Sequence, residues 1–283
     1  MWQLVSCQLR GVAQIYLQES PLFGAAVLLG LYLTQPVLAL GCMLGGVSAT
    51  ATAWVLGFPD QARGQGLYSF NAALIGAGLC AGFQLDITLA AWIVISGAVT
   101  AMLSRLLEHA GVTVLTSLFV GVIWLSGIAA PWLGLQPVAR TGAGGCSAAP
   151  AEYLFCVVGQ VSYIGFGLET GAWLASALGM LVWMALARRN WAPAESMLAG
   201  GVLGWLASSV DPAHGTGIGI NCALTMLALA SFGTPWHQRL LGATCCILFC
   251  LAAGQAYLTL PFVLATWVVL SLRGRWRWNT IGL

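Results

Sequence analysis

Ten long apolar runs constrain the fold of this chain more than any other feature of its sequence. Several of them reach about 17–20 residues, which in helical form is enough to cross roughly 30 Å of hydrocarbon. Only 6% of the 283 residues are charged, whereas a soluble domain carries about a quarter. We therefore expect an all-α polytopic membrane protein. The runs lie at about 22–35, 37–56, 68–85, 87–105, 112–134, 171–187, 194–210, 216–232, 238–254 and 256–272.

The arginines indicate how these runs cross the membrane. If two shorter stretches, 3–20 and 153–168, are re-entrant or interfacial helices that do not cross fully, nine of the ten arginines fall on one side and Arg140 alone on the other. Cytoplasmic loops carry the excess of basic residues. This predicts a protein of the cell inner membrane with both termini in the cytoplasm and an extracytoplasmic loop at 136–150. The first 20 residues show no secretory signal peptide.

Short motifs recur about half a chain apart, which indicates an internal duplication. Phe70-Asn-Ala-Ala-Leu74 matches Ile220-Asn-Cys-Ala-Leu224. Five spans before the loop and five after it would place the second copy upside down relative to the first. We therefore predict two inverted repeats, 1–135 and 151–283, joined by a linker at 136–150. The aligned polar pairs are Gln14 with Gln160, Asn71 with Asn221, and Thr116 with Thr259.

The polar residues within the apolar runs are the candidates for a functional site, because polar groups inside a membrane are costly. Those at the recurring positions are neutral amides and hydroxyls. A cation path would favour rings of carboxylates, and an anion path would favour Arg or Lys. The lining instead suits a small uncharged solute that donates and accepts hydrogen bonds.

Motifs of catalysis and metal binding are missing from the sequence. It contains no Ser/His/Asp spacing, no HExxH and no His/Cys cluster, so an enzyme, a metal site and a cofactor are not expected. No nucleic-acid partner is expected either. The glycine-rich stretches 64–66 and 215–219 lack the Lys-Ser/Thr of a phosphate loop. We expect these glycines to let backbones approach one another or to expose carbonyl groups.

Three motifs resemble those of the urea transporter (urea channel) family. They are Gly11-Val-Ala-Gln14, Gly64-Gln-Gly-Leu-Tyr-Ser-Phe-Asn-Ala-Ala-Leu-Ile-Gly76 and Leu258-Thr-Leu-Pro-Phe-Val-Leu-Ala-Thr-Trp267. The resemblance extends from about residue 10 to 272. It implies a homotrimer in membrane lipid, one central pore per protomer between the two inverted halves, and passive permeation of urea in single file.

The resemblance also implies roles for individual residues. The glutamines would lie at the pore mouths, the threonines would face each other in the narrow middle, and Phe70 would belong to an aromatic slot. Leu74 and Leu224 would be apolar walls. This chain departs from the family pattern at Leu17, at Ile220 and at Ser117-Leu118. The implied pore set is Gln14, Leu17, Phe70, Leu74, Thr116, Gln160, Tyr163, Ile220, Leu224 and Thr259.

Simpler interpretations stay open for these residues. The glutamines could be ordinary interhelical hydrogen-bonding groups, the threonines could bond back to their own helices, and Phe70 could be core. Asn71 and Asn221 are expected to cap the start of a half-helix rather than to bind solute. Competing functions are an energised transporter or a channel for another small polar solute, such as ammonia, ammonium or short amides, and a membrane-embedded enzyme.

Overall fold

The computed structural model describes residues 2–138, 173–210, 215–253 and 258–273, which contain twelve helices and no strand. The chain divides into two compact units, Met1–Thr141 (unit 1) and Gly142–Leu283 (unit 2). The boundary falls within the stretch 136–150 predicted as a linker, and the predicted repeat limits at 135 and 151 stay predictions.

Unit 1 contains seven described helices. Five of them coincide with the five apolar runs of the first half, so these sequence predictions are confirmed as helices. The other two are short and lie before the first run and in the loop after the second. The seven are α1 Trp2–Gln14, α2 Pro21–Thr34, α3 Pro36–Val55, α4 Asp60–Gly64, α5 Phe70–Gly82, α6 Ile87–His109 and α7 Ser117–Leu133.

Unit 2 contains five described helices, again one for each predicted run. They are α8 Trp173–Arg189, α9 Trp191–Ser208, α10 Gly215–Ser231, α11 Trp236–Ala253 and α12 Leu260–Leu272. The stretch 153–168, predicted to be a short helix, lies outside the described residues. Its counterpart α1 has 13 residues and spans about 20 Å, too short to cross a bilayer. The re-entrant placement of α1 stays a prediction.

Local sequence signals explain where several helices begin. The Ser20 side chain accepts a hydrogen bond from the Phe23 N–H at 3.3 Å, and Pro21 occupies the first helical position of α2. Asp86 caps α6 in the same way, accepting from the Leu89 N–H at 2.7 Å. Such caps satisfy N–H groups that have no partner within the helix.

Glycines allow helices in each unit to pack with their backbones in contact. In unit 1 a Cβ on Gly41 would lie 2.3 Å from the Gly76 carbonyl oxygen, and one on Gly45 would lie 2.1 Å from that of Ala72. In unit 2 a Cβ on Gly204 would lie 2.4 Å from the Gly219 Cα. The pairs α3–α5 and α9–α10 are therefore the closely packed cores of their units, as small residues allow in membrane helices.

This packing predicts the effect of a single methyl group. Gly45→Ala is expected to lower stability by roughly 1–3 kcal/mol, because α3 and α5 must separate to admit the new Cβ. Thermal unfolding of the purified protein in detergent measures the loss. Gly121→Ala in α7 is the matched control, since a Cβ there meets no atom within 4 Å. Gly121→Ala is expected to leave the stability unchanged or to raise it by up to about 1 kcal/mol. Equal melting temperatures for the two variants would contradict the close packing of α3 on α5.

The outer surface of the helices is strongly apolar. Side chains of Val55 and Ile87 are each 84% exposed, and that of Trp132 is 80% exposed. Extended exposed apolar surface marks contact with a membrane or a partner. Of the described helices, α3, α6 and α11 are long and apolar enough to cross a membrane by themselves. All described cysteines except Cys245 are buried, as expected for small hydrophobes.

The arginines of unit 1 that were predicted to share one side of the membrane lie around one segment, residues 54–69. Arg10 donates to the Gly64 carbonyl at 2.8 Å. Arg63 pairs with Asp60 and stacks over the Trp54 ring at 4.1 Å. Their grouping agrees with the charge pattern within this unit, and the orientation of the termini stays a prediction.

Candidate functional site

The residues implied as the pore set in unit 1 lie at the ends and beginnings of helices. Gln14 is the last residue of α1, Phe70 is the first residue of α5, and Thr116 immediately precedes α7. Leu74 lies one turn after Phe70, and both side chains are buried. Leu17 lies in the turn after α1 with a left-handed backbone, φ +55°. Helix ends are where backbone carbonyl and N–H groups lack partners within the helix.

Gln14 is buried and bonded rather than solvated. Its Nε2 donates to the Gln65 carbonyl at 3.1 Å, which ties the end of α1 to the turn before α5. The Gln14 nitrogen therefore has a structural partner, which lies in a turn rather than in another helix. A carboxamide held through its nitrogen still carries a carbonyl oxygen that can accept a hydrogen bond.

Asn71 joins α5 to the start of α7 through both ends of its side chain. Its Nδ2 donates to the Leu115 carbonyl at 2.8 Å, and its Oδ1 accepts from the Phe119 N–H at 3.2 Å. Asn71 is fully buried, and the Phe119 N–H is one of the groups that α7 cannot satisfy internally. Asn71 thus caps α7 from a neighbouring helix.

Asn221 makes the same two bonds in unit 2. Its Nδ2 donates to the Leu258 carbonyl at 2.9 Å, and its Oδ1 accepts from the Phe262 N–H at 3.1 Å. Both asparagines therefore cap a helix, but each caps a neighbouring helix and not, as predicted from the sequence, the start of its own. We call each of these arrangements an asparagine bridge, formed by Asn71, Leu115 and Phe119 or by Asn221, Leu258 and Phe262.

Each asparagine bridge holds a leucine in an unusual backbone conformation. Leu115 has φ +45° and Leu258 has φ +49°, in the left-handed region that L residues with a large side chain rarely adopt. Such a conformation costs of order 1–3 kcal/mol and persists only where its surroundings hold it, often at functional sites. The residue that follows is Thr116 in one unit and Thr259 in the other, so both threonines sit at a fixed bend just before a helix.

Ile220 and Leu224 lie one turn apart on α10. Both are half-buried, whereas Cys222 and Ala223 between them are fully buried. These two positions therefore belong to the more open face of an otherwise buried helix. Gln160 and Tyr163 lie outside the described residues.

The two copies of the glycine motif differ in backbone structure, which the sequence match did not indicate. In unit 2 the helix α10 runs continuously from Gly215 through Asn221. In unit 1 the stretch from Gln65 to Ser69 forms turns, and α5 begins only at Phe70. Gly66 has φ +77°, and a Cβ on it would lie 2.3 Å from the Gly11 nitrogen. The expectation of close backbone approach is confirmed for Gly66 and Gly219, whereas a Cβ on Gly64 would meet no atom within 4 Å.

Sequence reasoning missed the charged residues around this turn. Glu108, at the end of α6, accepts a hydrogen bond from the Tyr68 hydroxyl at 2.5 Å and from Arg105 at 3.1 Å. Arg10 was counted only for membrane sidedness, yet it binds the Gly64 carbonyl. Tyr68 within the glycine motif could have indicated this contact, because a buried tyrosine hydroxyl needs a hydrogen-bonding partner.

These features together are typical of a polytopic membrane protein. They are the helical units, the apolar exterior and the neutral polar groups at helix ends. The family model of the urea transporters matches residues 5–274. The chain belongs to the urea transporter family, a family of transporters rather than enzymes.

Two curated relatives match a shorter part of the chain. Urea transporter 1 of Ovis aries and urea transporter 1 of Capra hircus are each 36% identical to it over 74 residues. Each match covers 26% of this chain and 19% of the relative. The chain therefore aligns with about a fifth of the length of these relatives.

Proposed function

We propose that this protein is a passive channel for urea and closely related small neutral amides. Membership of the urea transporter family supports urea as the solute, and so do the names of the relatives. The observation that carries the proposal is the pair of asparagine bridges. Each bridge fixes a threonine at a bend before a helix, where a channel for a neutral solute needs an immobile hydrogen-bonding group.

The chemistry of urea fits such groups. Urea is planar, with one carbonyl acceptor and four N–H donors, and it loses hydrogen bonds to water when it enters a narrow pore. Each lost bond that the wall does not replace costs about 1–3 kcal/mol. The hydroxyls of Thr116 and Thr259 replace these bonds, because a hydroxyl that donates to one group can still accept from another. Since none of these groups titrates near neutral pH, the flux should depend little on pH.

The other members of the pore set have supporting roles in the proposal. Gln14 and Gln160 offer amide oxygens at the mouths, and Leu17 and Tyr163 follow them in the chain. Apolar walls form a flat slot that rejects hydrated ions. The wall residues are Phe70 and Leu74 in the first half and Ile220 and Leu224 in the second.

The proposal includes the finer architecture. The two halves, 1–135 and 151–283, are inverted repeats joined by an extracytoplasmic linker at 136–150, with the pore between them. The protomers form a homotrimer in the inner membrane with cytoplasmic termini. The recurrence of the asparagine bridge in both units supports the duplication. The grouping of Arg10, Arg63 and Arg105 within unit 1 supports the orientation.

A panel of solutes tests the choice of urea. Purified protein is reconstituted into liposomes, and shrinkage and reswelling are followed by light scattering under equal inward gradients of urea, acetamide or an ammonium salt. We expect urea to enter many-fold faster than in protein-free liposomes, acetamide to enter more slowly, and ammonium to be excluded. If ammonium entered faster than urea, ammonium rather than urea would be the solute. If the folded protein admitted no urea, the proposal that it conducts urea would be wrong.

A further inference from the structure

The segment Gly64–Ser69 consists of the last residue of α4 and the turn that follows it, and side chains from outside this segment hold it in place. A backbone segment that forms no helix leaves carbonyl and N–H groups that need other partners. Arg10 and Gln14 of α1 supply two of them, donating to the carbonyls of Gly64 at 2.8 Å and of Gln65 at 3.1 Å. One face of α1 therefore binds the backbone at the beginning of this turn.

A second attachment holds the end of the same turn. The Tyr68 hydroxyl donates to the Glu108 carboxylate at 2.5 Å, and the Tyr68 ring packs edge-on against Phe58 with 5.0 Å between ring centroids. Arg105 donates to the same carboxylate oxygen at 3.1 Å. Tyr68 lies two residues before Phe70, so a displacement of this attachment moves the beginning of α5.

The matching stretch of unit 2 has a different backbone structure in the residues that the structure describes. There α10 is helical from Gly215 onward, so the carbonyl groups of residues 215–219 accept hydrogen bonds within the helix. In unit 1 the same stretch contains a turn, and its first carbonyl groups accept from side chains of α1 instead. Within the described residues, the two copies of the motif therefore differ in how these carbonyl groups are satisfied.

We propose that Arg10 and Glu108 are positioning residues of the urea pathway, which hold the Gly64–Ser69 turn and thereby set the place of the Phe70 wall. This inference rests on the proposed function. Neither residue contacts the solute; Arg10 acts through the Gly64 carbonyl and Glu108 through the Tyr68 hydroxyl. The wall set by these two residues determines how well the pore rejects a solute wider than urea.

Tyr68→Phe is the sharpest test, because it removes one hydroxyl and keeps the ring that packs on Phe58. We expect the ratio of urea flux to N-methylurea flux to fall about threefold to tenfold, the range that corresponds to the net contribution of one typical hydrogen bond. Glu108→Ala is expected to lower the ratio similarly. Glu108→Gln keeps an oxygen that can accept from Tyr68, so it is expected to restore most of the selectivity.

Trp92→Phe is the matched control. It removes the 2.8 Å hydrogen bond from Trp92 Nε1 to Ser126, which joins α6 to α7 in the same unit away from the turn. A general loss of rigidity would lower the flux ratio in this variant as much as in Tyr68→Phe. We expect the melting temperature to fall comparably in both, with the ratio unchanged in Trp92→Phe.

The outcomes separate this inference from the proposed function. Arg10→Met, which removes the bond to the Gly64 carbonyl, tests the other attachment in the same way. If the wild-type protein conducts urea and the ratio is unchanged in folded Arg10→Met, Tyr68→Phe and Glu108→Ala, Arg10 and Glu108 are not positioning residues, whatever the solute. An equal loss of selectivity in Glu108→Gln and Glu108→Ala would also overturn the role given to the Tyr68 bond. Absence of urea flux in the wild-type protein would instead overturn the proposed function.

Discussion

Asn71→Ala is expected to lower the free energy of unfolding by about 2–5 kcal/mol and to abolish urea flux where the protein still assembles. The change removes both bonds of the first asparagine bridge, to the Leu115 carbonyl and to the Phe119 N–H. Each orphaned buried group costs about 1–3 kcal/mol. The left-handed conformation of Leu115 then lacks the bond that holds it, so Thr116 loses its fixed position. Thermal unfolding in detergent and urea flux in liposomes measure the two effects.

Two comparisons sharpen this prediction. Thr52→Val is the control, because the Thr52 hydroxyl bonds only to Ser48 of its own helix, and its effect should stay within about 0.5 kcal/mol. Asn221→Ala is expected to be milder than Asn71→Ala. Leu258 is 36% exposed whereas Leu115 is 3% exposed, so the second bridge is the less deeply buried of the two and its loss should cost less. If Asn71→Ala were as stable as the wild-type protein, the first asparagine bridge would not hold the bend at Leu115.

Asn71→Asp distinguishes the two bonds of the bridge. A carboxylate can still accept from the Phe119 N–H, but it cannot donate to the Leu115 carbonyl and repels it instead. We therefore expect Asn71→Asp to resemble Asn71→Ala in flux. Full activity in this variant would mean that capping α7 is sufficient and that the hold on Leu115 is unimportant.

Thr259→Val is expected to slow urea flux roughly 5-fold to 150-fold without unfolding the protein. Valine has nearly the shape of threonine but cannot accept a hydrogen bond, so urea would pass this point with one bond unmet. The expected cost of about 1–3 kcal/mol adds directly to the barrier, and each 1.36 kcal/mol corresponds to about a tenfold change in rate. Stopped-flow light scattering at matched protein density gives the ratio to wild type.

Thr244→Val provides the control for loss of a hydroxyl in unit 2. Thr244 is exposed on α11, and its hydroxyl donates to the Leu240 carbonyl of the same helix at 3.0 Å. The urea flux of Thr244→Val should equal that of the wild-type protein. A Thr259→Val protein that melts normally and conducts as fast as Thr244→Val would remove Thr259 from the pathway.

The sequence predicted the helices well because membrane insertion leaves a strong local signal. Each of the ten apolar runs coincides closely with one described helix. Of these helices, α3, α6 and α11 reach the length and hydrophobicity of a membrane span by themselves, and others, such as α5 and α12 with 13 residues each, are shorter. The recurrence of Asn71 and Asn221 also predicted a shared role, since a buried amide needs both a donor and an acceptor partner. In each unit the two partners in the asparagine bridge proved to lie on the same neighbouring segment, and Asn221 also donates to the Gly217 carbonyl of its own helix at 3.0 Å.

The bends and the turn could not be predicted in the same way. The left-handed conformation of Leu115 and Leu258 carries no sequence signal, because leucine has no preference for it and the asparagine that supports it is distant in the chain. The matched glycine motifs suggested matched backbones, yet one is a turn and the other a helix. The turn of unit 1 is bound by tertiary contacts that a local motif does not reveal, since Arg10 and Tyr68 bind residues far away in sequence.

Equilibration of isotope-labelled urea in proteoliposomes without any ion gradient tests passive urea conduction most directly. Labelled urea is supplied outside, and sodium, potassium and proton gradients are collapsed with ionophores. We predict that urea enters until its concentrations inside and outside are equal, at a rate that the ionophores leave unchanged. Uptake that stops when the gradients are collapsed, or accumulation above the outside concentration when a gradient is restored, would contradict a channel.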